Sequence, residues 1–404
     1  MGQSEITDLQ SRLKELEGQG TSGISGLVDF LIKGALEAGA SDIHLRPGPS
    51  VTDVRFRLDG VLQQVAETAL VLHPNIIARL KVLSSLLTYR TDIPQEGRID
   101  ATKYGGSVDL RVSTFPTIHG ERAVVRIFDP RMEELSLKEL GFSEEVKNTL
   151  EGHLRRPQGV ILLTGPAGSG KTTTIYATLR FIIQSSRAPK NIVSVEDPVE
   201  CVVEGVSQTQ INPAAGLTFA RALRSLMRQD PEAIVIGEIR DVETAEIAID
   251  AGLTGHLVIS TIHAGTACGV FTRLLDMGIE PYLLTSAVSS VLAQRLVRIL
   301  CPKCKCPAES NEHFEGLKEA LSGRAFVARG CPSCLDTGYK GRTPIAELFQ
   351  MRETLRQAIL SKSDTEELAK IAKDEGMKTL LADAIQKIKA GITSPQELRR
   401  VLVF

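Results

Sequence analysis

Residues 160–172, VILLTGPAGSGKT, join an apolar run to a glycine-rich loop that ends in lysine and threonine. The run Val160–Leu163 predicts a buried strand, and the residues from Thr173 to Ile183 have helical periodicity. Between them lies the spacing G-x-x-x-x-G-K-T, in which backbone N–H groups point at phosphate oxygens at the start of a helix. The pattern therefore predicts a nucleoside triphosphate site rather than an incidental glycine-rich turn. The residues assigned to the nucleotide are Gly165, Pro166, Ala167, Gly168, Ser169, Gly170, Lys171, Thr172 and Thr173, and the hydroxyl of Thr172 is also assigned to Mg²⁺.

Three more apolar runs follow, and polar residues stand at their ends. The three runs are Ile192–Val195, Ile234–Ile236 and Leu257–Ser260. Apolar runs that alternate with helical stretches predict a parallel sheet with crossover helices. Glu238 follows the second of these, where a carboxylate beside the phosphate loop can polarise the attacking water. Glu196 begins the segment EDPVE, which taken alone is equally consistent with a solvated loop. Its place at the end of a strand in the same sheet favours a catalytic role for Glu196. His256 and His263 flank the last run, so both are expected near the γ-phosphate, although a lone histidine is more often structural.

Composition predicts a soluble, globular chain with more than one domain. The chain has 404 residues, which corresponds to about two to three domains. Lys and Arg total 47 against 49 Asp and Glu, so a general nucleic-acid binder, which usually has a basic excess, is disfavoured. The start lacks the apolar segment of a signal peptide, and the uncharged stretch 251–272 is too rich in glycine, histidine and threonine to span a membrane. We therefore expect a cytoplasmic protein.

The residues before the phosphate loop are organised differently. The dipeptide Asp59-Gly60 predicts a hairpin turn between two short strands, and further strands and helices around it indicate a small α+β domain.

Near the C-terminus, Ser363 and Ser394 each precede a glutamate three residues later, which predicts helices capped by these serines. The expected domains are an N-terminal helix and linker at 1–24, the α+β domain at 25–130, an α/β core at 135–300, a cysteine-containing subdomain at 301–345 and a helical region at 346–404.

Five of the seven cysteines fall between residues 301 and 334. Four of them form two C-x₂-C pairs, Cys301 with Cys304 and Cys331 with Cys334. Each pair places two thiolates on one tight turn, and two such turns complete a tetrahedral shell that suits Zn²⁺. A structural zinc site is predicted, with Cys306 as a spare thiol nearby.

Four motifs stand in one order along the chain: the phosphate loop, EDPVE at 196–200, GEIRD at 237–241 and TGHLVISTIHA at 254–264. In this combination, over about residues 25–404, the chain resembles the type II secretion and type IV pilus assembly ATPases. The resemblance implies a homohexameric ring of RecA-like P-loop ATPase cores, each preceded by a PAS-like domain, which uses ATP and Mg²⁺ and contains zinc. In that family the motifs are named Walker A, the Asp box, Walker B and the His box. They correspond here to the phosphate loop, the segment with Glu196, Glu238, and the histidines His256 and His263.

The resemblance also implies further site residues and partners. Arginines carried over by position are Arg111 and Arg126 in the first domain and Arg224, Arg228 and Arg240 in the core. Such guanidinium groups neutralise transition-state charge and report on a neighbouring subunit. The family works on an inner-membrane platform protein and the cytoplasmic domain of a second membrane protein, so peripheral membrane association is expected. Only about 25 residues precede the PAS-like region, so docking through the larger N-terminal domain of many secretion members is not expected.

Two alternatives belong to other functional classes. A nucleic-acid translocase or DNA-uptake ATPase would share the core, but aromatic residues are only 4% of the chain and Trp is absent, which leaves few stacking platforms. A zinc-bearing interaction module with a non-hydrolysing nucleotide switch would not require the full set of Lys171, Thr172 and Glu238. The favoured interpretation is an ATPase motor that assembles a filament, with no direct nucleic-acid contact.

Overall fold

The computed structural model describes residues 20–104, 109–127, 134–308 and 325–402, together with residues 11, 13–16, 18, 317 and 321. These residues form two compact units with separate hydrophobic cores. Among them, no helix combines the length and apolar character that crossing a bilayer requires. Most of the expected N-terminal helix and linker at 1–24 lies outside the described residues.

The first unit is an antiparallel sheet of six strands with helices on one face. The strand order is β3-β2-β1-β6-β5-β4. The strands are β1 (Asp42–Pro47), β2 (Val51–Leu58), β3 (Val61–Ala69), β4 (Gln95–Asp100), β5 (Asp109–Thr117) and β6 (Gly120–Ile127), and the helices are α1 (Ile24–Glu37) and α2 (His73–Leu83). Every second residue of β2 is buried, because one face of the sheet packs against the helices while the other carries charged side chains. The α+β prediction is confirmed.

The second unit is centred on a sheet of seven strands in the order β15-β12-β7-β11-β10-β8-β9. The strands are β7 (Gly159–Thr164), β8 (Ile192–Glu196), β9 (Val206–Gln210), β10 (Ala233–Ile239), β11 (Leu257–Ile262), β12 (Val288–Leu300) and β15 (Tyr339–Gln350). The four strands expected from apolar runs, β7, β8, β10 and β11, are neighbours and run parallel. Val160 and Leu162 enter one core while Ile161 and Leu163 enter another, so β7 is buried on both faces. The α/β class is confirmed.

Helices cover both faces of this sheet and form the C-terminal region. They are α3 (Glu144–Leu154), α4 (Lys171–Ser185), α5 (Phe219–Leu226), α6 (Val242–Leu253), α7 (Ala267–Asp276), α8 (Pro281–Ala287), α9 (Glu353–Leu360), α10 (Thr365–Asp374), α11 (Leu380–Lys389) and α12 (Pro395–Val401). The Ser394 cap is confirmed, because its hydroxyl accepts from the Glu397 N–H at 3.2 Å. The prediction that Ser363 is a cap is wrong by one residue, because the carboxylate of Asp364 accepts from the Glu367 N–H at 2.8 Å instead.

The cysteine segment does not stand alone as the expected subdomain at 301–345. Residues 298–308 and 326–341 group with the first unit, and residues 342–402 group with the second. Leu335 packs against the first unit's core, and the Gly341 N–H donates to Asp59 Oδ2 at 2.9 Å. Two short strands, β13 (Cys306–Pro307) and β14 (Phe326–Val327), pair within the segment. The segment is therefore too small for a core of its own and uses a neighbouring one.

Candidate functional site

The phosphate loop has a shape that only its glycines permit. It connects β7 to α4, and Gly165, Gly168 and Gly170 have φ angles of 145°, 72° and 89°. A Cβ on Gly165 would lie 2.4 Å from the carbonyl oxygen of Gln294 on β12. Because L side chains rarely adopt positive φ, substitution at these positions strains the loop whatever the space around it. The loop is thus held with its backbone amides at the N-terminus of α4, as phosphate binding requires.

Lys171 lies folded over this loop. Its Nζ donates to the carbonyl oxygens of Gly165 at 2.7 Å and Pro166 at 3.0 Å. Burial lowers the pKa of Lys171 from its ordinary value, and the nearby charge of Glu238 opposes that shift. A triphosphate in the loop offers the ammonium more strongly charged acceptors than these two carbonyls. Lys171 is therefore placed to bind phosphate and to balance Glu238.

A cavity of about 280 Å³ brings the predicted residues together at the carboxyl ends of the central strands. The lining residues that the sequence pointed to are Ala167, Gly168, Lys171, Thr172, Glu196, Glu238 and His263. Thr172 is exposed at the start of α4, where its hydroxyl fits the metal-holding position of such loops. The oxygen ligands that Mg²⁺ prefers are thus available beside the phosphate loop.

Glu238 lies where the strand ladder is irregular. The pairing of β10 with β11 changes register between Ile236 and Ile239, and Glu238 falls within that irregularity. Irregularities of this kind turn a side chain out of the regular alternation of a strand. The Glu238 carboxylate contacts the Arg240 guanidinium and lies 3.7 Å from His263 Nε2. The carboxylate is therefore aimed into the cavity with a positively charged neighbour.

Glu196, by contrast, is buried and heavily hydrogen bonded. Its carboxylate accepts from the hydroxyls of Tyr176 at 2.6 Å and Ser194 at 2.5 Å, and from Gln208 Nε2 at 3.1 Å. Asp197, the next residue, has its Oδ2 3.7 Å from Arg240 Nη1. Three donors therefore occupy most of the acceptor sites of this carboxylate. The contacts of Glu196 are those of a residue that holds the EDPVE segment in place.

The two predicted histidines, His256 and His263, lie at opposite ends of β11. His263 lines the cavity at the carboxyl end of β11, whereas His256 precedes the amino end of the same strand. The His256 carbonyl accepts from the Gly159 N–H at 3.1 Å, at the opposite edge of the sheet from the phosphate loop. Six strand residues span about 20 Å. The expectation that both histidines approach the γ-phosphate is therefore wrong for His256 within a single chain.

The three core arginines have different surroundings. Arg240 faces the carboxylates of Glu238 and Asp197. Arg224, on α5, pairs with Glu243 at 2.5 Å, and Arg228 is exposed just beyond that helix. Only Arg240 of this group touches acidic side chains that line the cavity in the part of the chain that is described. Its pKa is raised from the ordinary value, first by its hydrogen bond to Glu238.

The first-unit arginines share one face of their sheet. Arg111 and Arg126 are direct partners in the register of β5 with β6. The same row continues to Asp42 and Arg57 on one side and to Arg98 on the other. Asp42 Oδ1 lies 3.4 Å from Arg126 Nε, and its Oδ2 lies 3.1 Å from Arg57 Nε. Asp42 therefore offsets part of the positive charge of this row.

The four paired cysteines form the predicted cluster. Their Sγ atoms all lie within 4.8 Å of one another, with distances of 3.8 Å for Cys301–Cys331, 3.8 Å for Cys304–Cys334 and 3.7 Å for Cys331–Cys334. Four thiolates about 2.3 Å from a tetrahedral zinc would be about 3.8 Å apart. The Gly338 N–H donates to Cys334 Sγ at 3.2 Å and so helps to orient this sulfur. The donor set and spacing fit zinc, and Cys306 is not one of the four.

Two site residues escaped the sequence analysis. Gln294 is buried in β12, where its Nε2 donates to the Ser169 carbonyl at 2.8 Å and its Oε1 accepts from the Thr174 hydroxyl at 3.0 Å. Tyr176 is fully buried on α4 and reaches Glu196. The sequence signal for Gln294 was a glutamine inside the mostly apolar stretch VLAQRLV. For the second, the signal was a tyrosine one turn after Thr172, on the same helical face.

Comparisons with known proteins identify the family of this chain. The model of the family "Type II/IV secretion system protein" matches residues 17–400. The Type II secretion system ATPase E of Vibrio cholerae is 43% identical over 389 residues, which cover 96% of this chain and 76% of that protein. The Type II secretion system protein E of Pseudomonas aeruginosa is 44% identical over 389 residues, covering 96% of this chain and 77% of that protein.

Solved structures share the fold. The ATPase DotB of Legionella pneumophila matches with a TM-score of 0.67 and 20% identity, over 92% of this chain and 94% of that one. The pilus retraction motor PilT with bound ADP matches with a TM-score of 0.61 and 24% identity, over 92% of this chain and 96% of that one. With the phosphate loop, the acidic cavity and the sequence relationship all in agreement, the chain belongs to the type II/IV secretion system protein family, among its type II secretion ATPases.

Proposed function

We propose that this chain is the subunit of a homohexameric ATPase motor that assembles type II secretion pseudopili or type IV pili. The observation that carries the proposal is the single cavity shared by Lys171, Thr172, Glu238 and His263. The motor works in the cytoplasm and is peripherally associated with the inner membrane. It acts there through a platform protein and the cytoplasmic domain of a second membrane protein.

Hydrolysis follows from the placement of these groups. The loop amides and the Lys171 ammonium bind the β- and γ-phosphates, and Mg²⁺ held by Thr172 would neutralise phosphate charge. Glu238 orients and polarises the attacking water, since its carboxylate faces the cavity. Arg240 and His263 lie beside that carboxylate and can donate to the charge that develops on the phosphate oxygens. Arg111 and Arg126 act as nucleotide sensors, and zinc stabilises the cysteine segment.

An exposed apolar surface supports assembly into rings. A cavity of about 490 Å³ in the first unit is lined by residues that include Thr88, Thr117 and His119. Beside these lining residues in the chain stand Tyr89, 77% exposed, and Ile118, 94% exposed. Large apolar side chains exposed to solvent are typical of protein–protein contact surfaces. We assign this surface to contact with a second copy of the chain.

Replacing Ile118 with glutamate tests this assignment. A charge at the centre of an apolar contact must be desolvated, so we expect ring assembly to be lost and ATP turnover per subunit to fall with it. Light scattering and phosphate release, measured on the same samples, check both effects. The subunit should remain folded, because the Ile118 side chain is 94% exposed in the single chain. Rings of unchanged mass and activity would contradict the assignment.

A further inference from the structure

We propose that Tyr176 is a positioning residue that ties the helix of the phosphate loop to the EDPVE segment and thereby controls turnover. The inference rests on the proposed function in one respect, namely that ATP is hydrolysed in this cavity. It assigns no contact between Tyr176 and the nucleotide. Instead, its phenol joins two parts of the site that face the nucleotide from different strands.

The hydrogen bonds of one hydroxyl carry the inference. Tyr176 Oη donates to Glu196 Oε2 at 2.6 Å and accepts from the backbone N–H groups of Glu200 at 3.1 Å and Cys201 at 3.3 Å. A phenol has one donor and limited acceptor capacity, so these three contacts fully engage it. The side chain is completely buried, and burial is the first cause that raises its pKa well above the ordinary value. The EDPVE segment is thus held at both its first and last residues by one atom.

Tyr176 is rigidly connected to the phosphate loop. Helix α4 begins at Lys171, only five residues earlier, and Thr174 in its first turns is held by Gln294. A displacement of the start of this helix on phosphate binding would therefore reach the phenol. On the other side, Gln208 Nε2 donates to Glu196 Oε1 at 3.1 Å and to the Cys201 carbonyl at 2.9 Å, which stiffens the segment.

The contacts continue from this segment to the hydrolytic carboxylate. Asp197 Oδ2 lies 3.7 Å from Arg240 Nη1, and Arg240 contacts Glu238. Tyr176 therefore stands at the start of a path that runs from the phosphate loop through the EDPVE segment to Glu238. A series of contacts shows energetic coupling only if removing one contact changes the step at the other end, here ATP hydrolysis at Glu238. The test must therefore measure nucleotide binding and turnover separately.

Tyr176→Phe removes only the hydroxyl. We expect kcat to fall about ten-fold, because a buried carboxylate and two amides lose one partner each, while ATP affinity stays within about two-fold. Steady-state phosphate release gives kcat and KM, and titration with a fluorescent ATP analogue gives Kd. A kcat equal to that of the wild type would overturn the inference, as would a loss confined to Kd.

Thr178→Val is the matched control. Thr178 is also fully buried on α4, and its hydroxyl donates to the Ile175 carbonyl at 2.6 Å, within the helix. We expect its kcat to remain within about two-fold of the wild type, since it does not reach the EDPVE segment. An equal loss in both variants would mean that the effect of Tyr176→Phe comes from general loosening of α4, and would overturn the inference.

A second variant covers the case in which Tyr176→Phe does not fold. Gln208→Met keeps the side-chain volume but removes both of its donated hydrogen bonds from the same segment, so we expect the same split between kcat and Kd. Wild-type kcat in that variant would overturn the inference. If the wild type itself showed no turnover, the proposed function would fail instead, which keeps the two failures distinct.

Discussion

Replacing Glu238 with glutamine is expected to lower kcat by about 10²–10³-fold and to leave ATP affinity nearly unchanged. Glutamine keeps the shape of the side chain but has no charge with which to polarise water. The phosphate loop and Lys171 are not altered, so binding is retained. Phosphate release and nucleotide titration of the same preparation measure the two effects separately.

Glu232→Gln provides a control next to the same strand. Glu232 precedes the amino end of β10, and its carboxylate accepts from the Asn191 N–H at 3.0 Å, at the sheet edge opposite the cavity. It should retain turnover within about two-fold, because it is remote from the reacting atoms. Wild-type turnover in Glu238→Gln would show that another group polarises the water.

The second large effect that we expect follows from replacing one of the four paired cysteines. Cys301→Ser should abolish stoichiometric zinc binding and lower the melting temperature, because a structural zinc site contributes its binding free energy to folding. The wild type is expected to bind one zinc per chain and to lose stability when a strong chelator is added. Zinc content by atomic spectroscopy and thermal denaturation with and without chelator provide the measurements.

Cys306→Ser is the matched control for this prediction. Cys306 lies in the same segment but outside the four-cysteine cluster, and its Sγ lies 4.0 Å from the Val327 carbonyl oxygen. It should bind zinc as the wild type does. Equal zinc content in Cys301→Ser and Cys306→Ser, or none in the wild type, would contradict a four-cysteine site.

Much of the fold could be predicted because long apolar runs mark strands that are buried on both faces. β7 and β11 are buried at every residue, and their runs stand out in the sequence. β9 escaped prediction because Val206–Gln210 is mostly polar and only partly buried. As an edge strand it needs little apolar surface, so its pairing depends on β8 rather than on its own composition.

The site was predictable where chemistry dictates residue type and spacing. The phosphate loop, Glu238 and the two cysteine pairs have spacings that few other roles require. His256 was misjudged because a histidine at each end of a strand looks equivalent in sequence, although only the carboxyl end of a parallel strand meets the ligand. Glu196 was predicted to be catalytic because the sequence does not show its hydrogen bonds. Its carboxylate accepts from the hydroxyls of Tyr176 and Ser194 only in the folded chain.

The most direct measurement is Mg²⁺-dependent ATP turnover of the purified protein across a range of protein concentrations, with light scattering on the same samples. If the chain is the subunit of a ring motor, turnover per subunit rises as the mass reaches that of a hexamer. Turnover that is independent of assembly would contradict this account, because the complete catalytic set would then reside in a single chain.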